Sequence, residues 1–300
     1  PDGVIELTAD NSYSGGTTIL GGMLSMAHAN ALGVPAATPD IGLYNGAALK
    51  LNSADIPASI VSRIKPDSDG CIILGAPCAS LNLDLTGLPG IRVGTDQTLL
   101  SYGGVITPEG NVYRTGGGRV IYTSGGYRGL VLTNLVDDGA NARTLVVDGF
   151  GMVNPSGTLN TFSGGTIVTN GGTLHLREDG GLGAAPAAPD PDNVYVDGGV
   201  IRVGDANFTL NANRGVTVGP NGMGLHPWGG RTMTVSGDLP GSGAITNTDG
   251  GAVSVNGTGK TYSGMLTPHA GSAVRSRTTW SSTGFDAGRI VVESTSNRMP

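Results

Sequence analysis

One internal repeat constrains this chain more than any other feature, because three blocks return in the same order and with spacing matched to within one residue. Asn11-Ser12-Tyr13-Ser14-Gly15-Gly16-Thr17-Thr18-Ile19 returns as Asn160-Thr161-Phe162-Ser163-Gly164-Gly165-Thr166-Ile167-Val168. A second block, Gly21-Gly22-Met23-Leu24, matches Gly171-Gly172-Thr173-Leu174, and a third, Ala31-Leu32-Gly33, matches Gly181-Leu182-Gly183. A degenerate third copy of the first block runs from Lys260 through Tyr262-Ser263-Gly264 to Leu266, with Met265 where the second glycine should stand. An aromatic, then Ser-Gly-Gly, then alternating Thr, Ile and Val reads as a turn leading into a strand. The Gly-Gly pair before Met23 or Thr173 reads as a second turn before a second strand. Two or three such strands make a coil of roughly 20 residues, within the range of solenoid repeats.

The rest of the chain keeps this rhythm. Short apolar segments bounded by Gly, Asn, Asp or Pro occur at residues 48–52, 71–74, 81–85, 119–123, 130–134, 144–148, 193–196, 200–203, 215–218, 232–236, 252–256 and 289–293. Of 300 residues 53 are glycine, more than twice the ~7% of an average protein, and glycine supplies the positive φ angles that tight turns need. The glycines have no every-third-residue period, which excludes collagen. Hydrophobic residues make up 38% of the chain and recur in blocks, unlike a disordered sequence. The reading is an all-β, right-handed parallel β-helix (a solenoid) with irregular loop excursions, one solenoid over residues 1–300. A sandwich or barrel is the second choice. Residues 33–150 are expected to form less regular coils with protruding loops, and 157–266 the most regular module. Three Pro-rich stretches, 33–40, 56–70 and 184–193, are read as the excursions, where solenoids commonly carry binding function.

The blocks quoted above resemble the autotransporter-associated β-strand repeat, also called the passenger-associated transport repeat. Residues 197–203, 208–218 and 234–243 are similar to the segment between such repeats, and the resemblance covers residues 3–33 and 157–266. It implies the right-handed β-helix of an exported passenger at the bacterial cell surface or in the extracellular space. The chain opens at Gly3-Val4-Ile5-Glu6-Leu7 in the middle of such a module. The expected partners are therefore flanking coils of a longer chain, or a second copy stacked head-to-tail into a fibre, since open strand edges invite pairing. A surface glycan, or a ligand on a host or neighbouring cell, is the expected binding partner.

Residues that could carry chemistry are few. The net charge is −6 and the 17 Lys and Arg form no run or stripe, so nucleic acid is not an expected partner. No window holds 18 consecutive apolar residues, so this segment is not expected to insert into a membrane. Gly257-Thr258-Gly259-Lys260-Thr261 has Ser254 where a phosphate-binding loop needs its first glycine. Paired acids occur at Asp67/Asp69, Asp137/Asp138, Glu178/Asp179 and Asp190/Asp192, all beside turn residues. A glycosidase would need such a pair within about 5–10 Å. Calcium would suit Asp67-Ser68-Asp69 or Asp190-Pro191-Asp192, without the spacing of a known calcium loop. Cys71 and Cys78 are either one local disulfide or two buried thiols. His226-Pro227-Trp228 marks either a contact surface or a packed turn. No catalytic, cofactor-binding or metal residue is assigned. The functional expectation is an extracellular structural or adhesive scaffold that is not an enzyme. A β-helical carbohydrate-active enzyme or carbohydrate-binding module is the alternative, recognisable by two carboxylates and an Arg or Lys brought together on one face.

Overall fold

The computed structural model describes residues 3–35, 37–118, 129–134, 137–156, 160–204, 206–228, 230–247, 251–255, 261–267 and 273–276. The expected strands at 119–123 and 289–293, and most of the loop at 257–261, lie outside the described residues. The rest is all-β: short strands pair in parallel with the equivalent strand of the next coil and make a β-solenoid of about ten turns. Two compact units are distinguished, Pro1–Asn134 with Phe150–Val153, and Leu135–Gly149 with Asn154–Pro300.

In the first unit the main ladder runs Val4–Leu7, Met23–Met26, Ala48–Leu51, Cys71–Leu74, Arg92–Gly94, Val112–Thr115. Its register partners, Val4↔Met23, Met23↔Ala48, Ala48↔Cys71 and Cys71↔Arg92, set the coil length by subtraction. Leu49, Ile72 and Val93 stack as one buried column of that ladder. Residues 48–52 and 71–74 were thus placed correctly from sequence. The 56–70 excursion holds a 3-10 turn, Ala58–Arg63, which buries Ile60 and Val61.

In the second unit the main ladder is Thr144–Asp148, Thr166–Thr169, Asp190–Asp197, Arg214–Val218. Val147, Val168, Val196 and Val218 form a continuous buried column there. A second ladder stacks Leu174, Ile201 and Leu225, capped by buried Asn247, whose Nδ2 donates to Gly251 O at 3.2 Å. Each such valine or leucine contributes about 1.5–3 kcal/mol of burial. Repetition of the same side chain down a column is therefore the driving force for stacking. The turn expected before Thr173 is made by Asn170 and Gly171, both at positive φ. One boundary needs correction: the strand Asp190–Asp197 begins inside the expected 184–193 excursion. Asp190 pairs with Arg214 across an irregularity that absorbs Pro191, before regular pairing resumes at Val194.

Candidate functional site

The repeated blocks converge on one corner in each unit. Gly33 and Gly183, the last residues of the Leu-Gly blocks, both have positive φ. A Cβ on either would run into the carbonyl oxygen of the aromatic one coil earlier, Tyr13 or Phe162. That corner leaves carbonyls exposed to a donor, and an arginine from the following coil takes them. Arg63 donates to Leu32 O (2.9 Å) and Gly33 O (3.2 Å), and its Nε and Nη2 grip both oxygens of Asp40 at 2.9 and 2.8 Å. Arg214 donates to Leu182 O at 3.1 Å and to Gly183 O, to Asn193 Oδ1 at 2.6 Å, and through Nε to both oxygens of Asp179 at 3.1 Å. Neither arginine belongs to a repeated block, so the alignment of blocks missed both. Their shared distance, about a coil and a half beyond the Leu-Gly pair, is the signal that could have found them.

Most of the paired acids build turns. Asp138 accepts from the Ser163 N–H and Oγ (both 2.7 Å) and from the Arg143 N–H (2.8 Å), while Asp137 pairs with Arg143 at 2.9 Å. Two carboxylates and an arginine gather here. Desolvation pushes Asp138 up, but the bonds from Ser163 and Arg143 outweigh it and hold it below the ordinary carboxylate value. Its oxygens are thus committed to the Ser-Gly-Gly turn. Asp67 accepts from the Tyr44 hydroxyl, Asp190 holds Asn193, and Asp192 accepts from Thr217. Among the described residues no three His, Cys, Asp or Glu side chains gather as metal ligands.

Cys71 and Cys78 are free, buried thiols, not a disulfide. The Cys71 thiol donates to Gly116 O and that of Cys78 to Ser53 O. Burial pushes the Cys71 thiol up to about 12, which leaves it an inert core group. His226-Pro227-Trp228 is a packed element. His226 stands in register with Arg202, and Arg202 with His175, while the Arg202 guanidinium lies 4.8 Å from the centre of the Trp228 ring.

In the first unit a groove of about 780 Å³ lies beside the 56–70 excursion. Val61 and Ser62 of the 3-10 turn, with Ile64 and Pro66, form one wall, and Leu83, Asp84 and Thr86 form the other. Asp84 is the only ionisable side chain among its lining residues, too few for paired-carboxylate chemistry. The Thr86 hydroxyl and N–H bind it at 2.7 and 3.1 Å and lower its pKa. The groove can hold a ligand, and its walls offer apolar surface, hydroxyls and one fixed negative charge.

The chain is similar to the adhesin BmaC autotransporter of Brucella suis biovar 1 (strain 1330), at 29% identity over 276 residues. The match covers 84% of this chain and 7% of that protein. No family model matches the sequence, and no solved structure matches it.

Proposed function

We propose that this chain is a segment of an extracellular, adhesive β-helical passenger at a bacterial surface, a scaffold and not an enzyme. The observation that carries this reading is the similarity to an autotransporter adhesin along 84% of the chain, in a sequence that folds as a parallel solenoid. The acids support it, because the carboxylates described above are spent on turns and corner clamps. Within a longer passenger, the expected neighbours of this segment are further coils of the same fold. Its ligand is a molecule on a host or neighbouring cell.

Beads coated with the purified chain should attach to such cells several-fold more than beads coated with serum albumin. Equal attachment would remove the adhesive part of the reading. Antibodies to the chain should label intact bacteria that carry the parent protein, and labelling only after permeabilisation would contradict the surface location. Negative-stain microscopy separates the two modes of association. Isolated particles fit a segment of a longer passenger, and continuous fibres would establish head-to-tail stacking of separate chains.

A further inference from the structure

We propose that Asn45 is a self-modification site, at which attack by the Gly46 nitrogen expels the side-chain amide and leaves aspartate or isoaspartate. The reaction needs a following residue without a side chain, a backbone nitrogen able to give up its proton, and an amide carbon able to swing onto that nitrogen. The described Asn-Gly pairs are Asn45-Gly46, Asn170-Gly171 and Asn221-Gly222, and Asn256-Gly257 lies outside the described residues. All three meet the first need, and their surroundings separate them on the other two. The Gly171 N–H donates to Gly198 O of the next coil at 2.8 Å, and the Gly222 N–H to Gly219 O at 3.0 Å. Amides held in this way keep their protons. Among the described residues the Gly46 N–H meets no such acceptor. Gly46 is also exposed, whereas Gly171 is half-buried and Gly222 buried. A Cβ built on Gly46 would have nothing within 4 Å, so water and hydroxide reach its nitrogen.

The side chains differ in the same sense. Asn170 Nδ2 donates to Asp148 Oδ1 at 2.8 Å, and Asn221 gives both its N–H and its Nδ2 to the Asp197 carboxylate, at 2.7 and 3.0 Å. Hydrogen bonds to a carboxylate are the strong kind. Asn45 Nδ2 has only Leu20 O, at 3.3 Å, a neutral bond beyond the usual length. Topology accounts for the contrast. Asn45 and Gly46 stand at φ 56 and 70, and the Ala47 N–H closes the turn onto Tyr44 O at 3.1 Å, the geometry of a type I′ turn. The next coil bonds to either side of this turn, Asp69 N–H to Leu43 O and Cys71 N–H to Ala47 O, both at 2.9 Å, and passes over Asn45-Gly46. Ring closure requires Asn45 to leave its left-handed conformation, so the rate follows how often this turn opens.

The chemistry needs only water. The Gly46 nitrogen loses its proton to hydroxide and bonds to Asn45 Cγ. The Cγ–Nδ2 bond then breaks, and the departing nitrogen takes up a proton and leaves as ammonia. Water opens the resulting succinimide ring. Opening at Cγ gives aspartate, and opening at the main-chain carbonyl gives isoaspartate, whose chain runs through the side chain. A carboxylate cannot donate to Leu20 O, and isoaspartate lengthens the link between Ile41–Leu43 and Ala48–Leu51. The scaffold thus acquires a slow, irreversible mark of age at one turn, whether or not it is adhesive.

The test incubates the whole purified chain at mildly alkaline pH, folded and in concentrated urea. Peptide mapping over time then separates asparagine, aspartate and isoaspartate at each position. In the folded chain Asn45 should convert at least about tenfold faster than Asn170 or Asn221, the rate equivalent of about one hydrogen bond. Isoaspartate should be among the products, and the rate should rise with pH because the Gly46 nitrogen must lose its proton. In urea the advantage of Asn45 should collapse, since all three asparagines precede glycine. Asn45→Gln should silence the position, because the longer side chain closes a ring far more slowly. Equal rates at the three positions of the folded chain would overturn the proposal. So would an advantage of Asn45 that persists undiminished in urea, or a product at 45 that is aspartate alone. The decisive comparison lies within the wild-type chain, so it holds even if the variant does not fold.

Discussion

In the first unit the Leu32-Gly33 corner is held by Arg63, whose carboxylate partner Asp40 follows the corner in sequence and is itself nearly buried. In the second unit the Leu182-Gly183 corner is held by Arg214, whose partner Asp179 precedes it. The Arg214 side chain is 0% exposed and its acid 27%, whereas Arg63 is 14% exposed and its acid 6%. The same backbone problem, a glycine corner with open carbonyls pressed against an aromatic's carbonyl, is thus met twice by the same side chain. The counter-charge arrives from opposite sides. What the repeat preserves is the corner and its need for a multidentate cation, not the position of the acid.

The two clamps should separate most clearly on deletion. Arg214→Ala strands the Asn193 amide and two carbonyls in a fully buried site and should cost about 3–5 kcal/mol, while Arg63→Ala should cost about 2–3 kcal/mol because the Arg63 side chain is itself partly exposed and water can enter the space it leaves. Urea titrations of both variants rank them, and equal losses would break the comparison. Next come the corner glycines. Gly183 sits at φ 78, ψ −160, a region essentially closed to other residues. Gly183→Ala and Gly33→Ala should each lose about 2–4 kcal/mol, with Gly183 the worse.

A smaller effect attaches to two tyrosines that tie neighbouring coils. The Tyr102 hydroxyl donates to Leu81 O at 2.6 Å in the first unit, and that of Tyr262 to Gly243 O at 2.7 Å in the second. Each change to Phe should cost about 1 kcal/mol. Burial pushes Tyr262 up to about 12, so its contribution is complete below the ordinary value of about 10 and is lost as pH rises toward about 12. Tyr262→Phe should lose less stability than wild type over that window in pH-dependent melting. The smallest effect is that of Asp138. Its pKa is lowered, so its contribution is present above the ordinary carboxylate value and fades as pH falls through its own. Asp138→Asn should flatten the acid limb of the stability profile, and an unchanged limb would show that the Ser163 turn does not depend on the charge.

Much of the fold was legible in the sequence because a solenoid writes its core as recurring short blocks. The strands at 71–74 and 144–148 match the observed boundaries, the Gly21-Gly22 turn falls where its block placed it, and the turn before Thr173 falls one residue earlier, at Asn170-Gly171. The clamps were not legible. Arg63 and Arg214 act across coils, on carbonyls about 30 residues away, so no local window contains both partners. Tyr102-Gly103-Gly104-Val105-Ile106 is a further copy of the tyrosine turn that the block search passed over. It lacks the preceding Asn-x, yet its hydroxyl bonds back one coil as that of Tyr262 does. Pro191 lies in the stretch 184–193 read as an excursion, but a ladder irregularity accommodates it inside a strand. The groove was least legible of all, since its walls come from separate coils, which leaves no motif.

The central claim is that each coil lies in parallel register on the one before it. Ile167, Tyr195 and Thr217 are successive partners on three coils, none of them fully buried. Cysteine pairs at 167/195 and at 195/217 fall about 4.8 Å apart by strand spacing, within the Cα range of a disulfide. The 167/217 pair is twice as far apart. Oxidation followed by mass spectrometry should cross-link both adjacent pairs and leave 167/217 open. Cross-linking of 167/217, or failure of both adjacent pairs, would contradict the stacking on which the whole account depends.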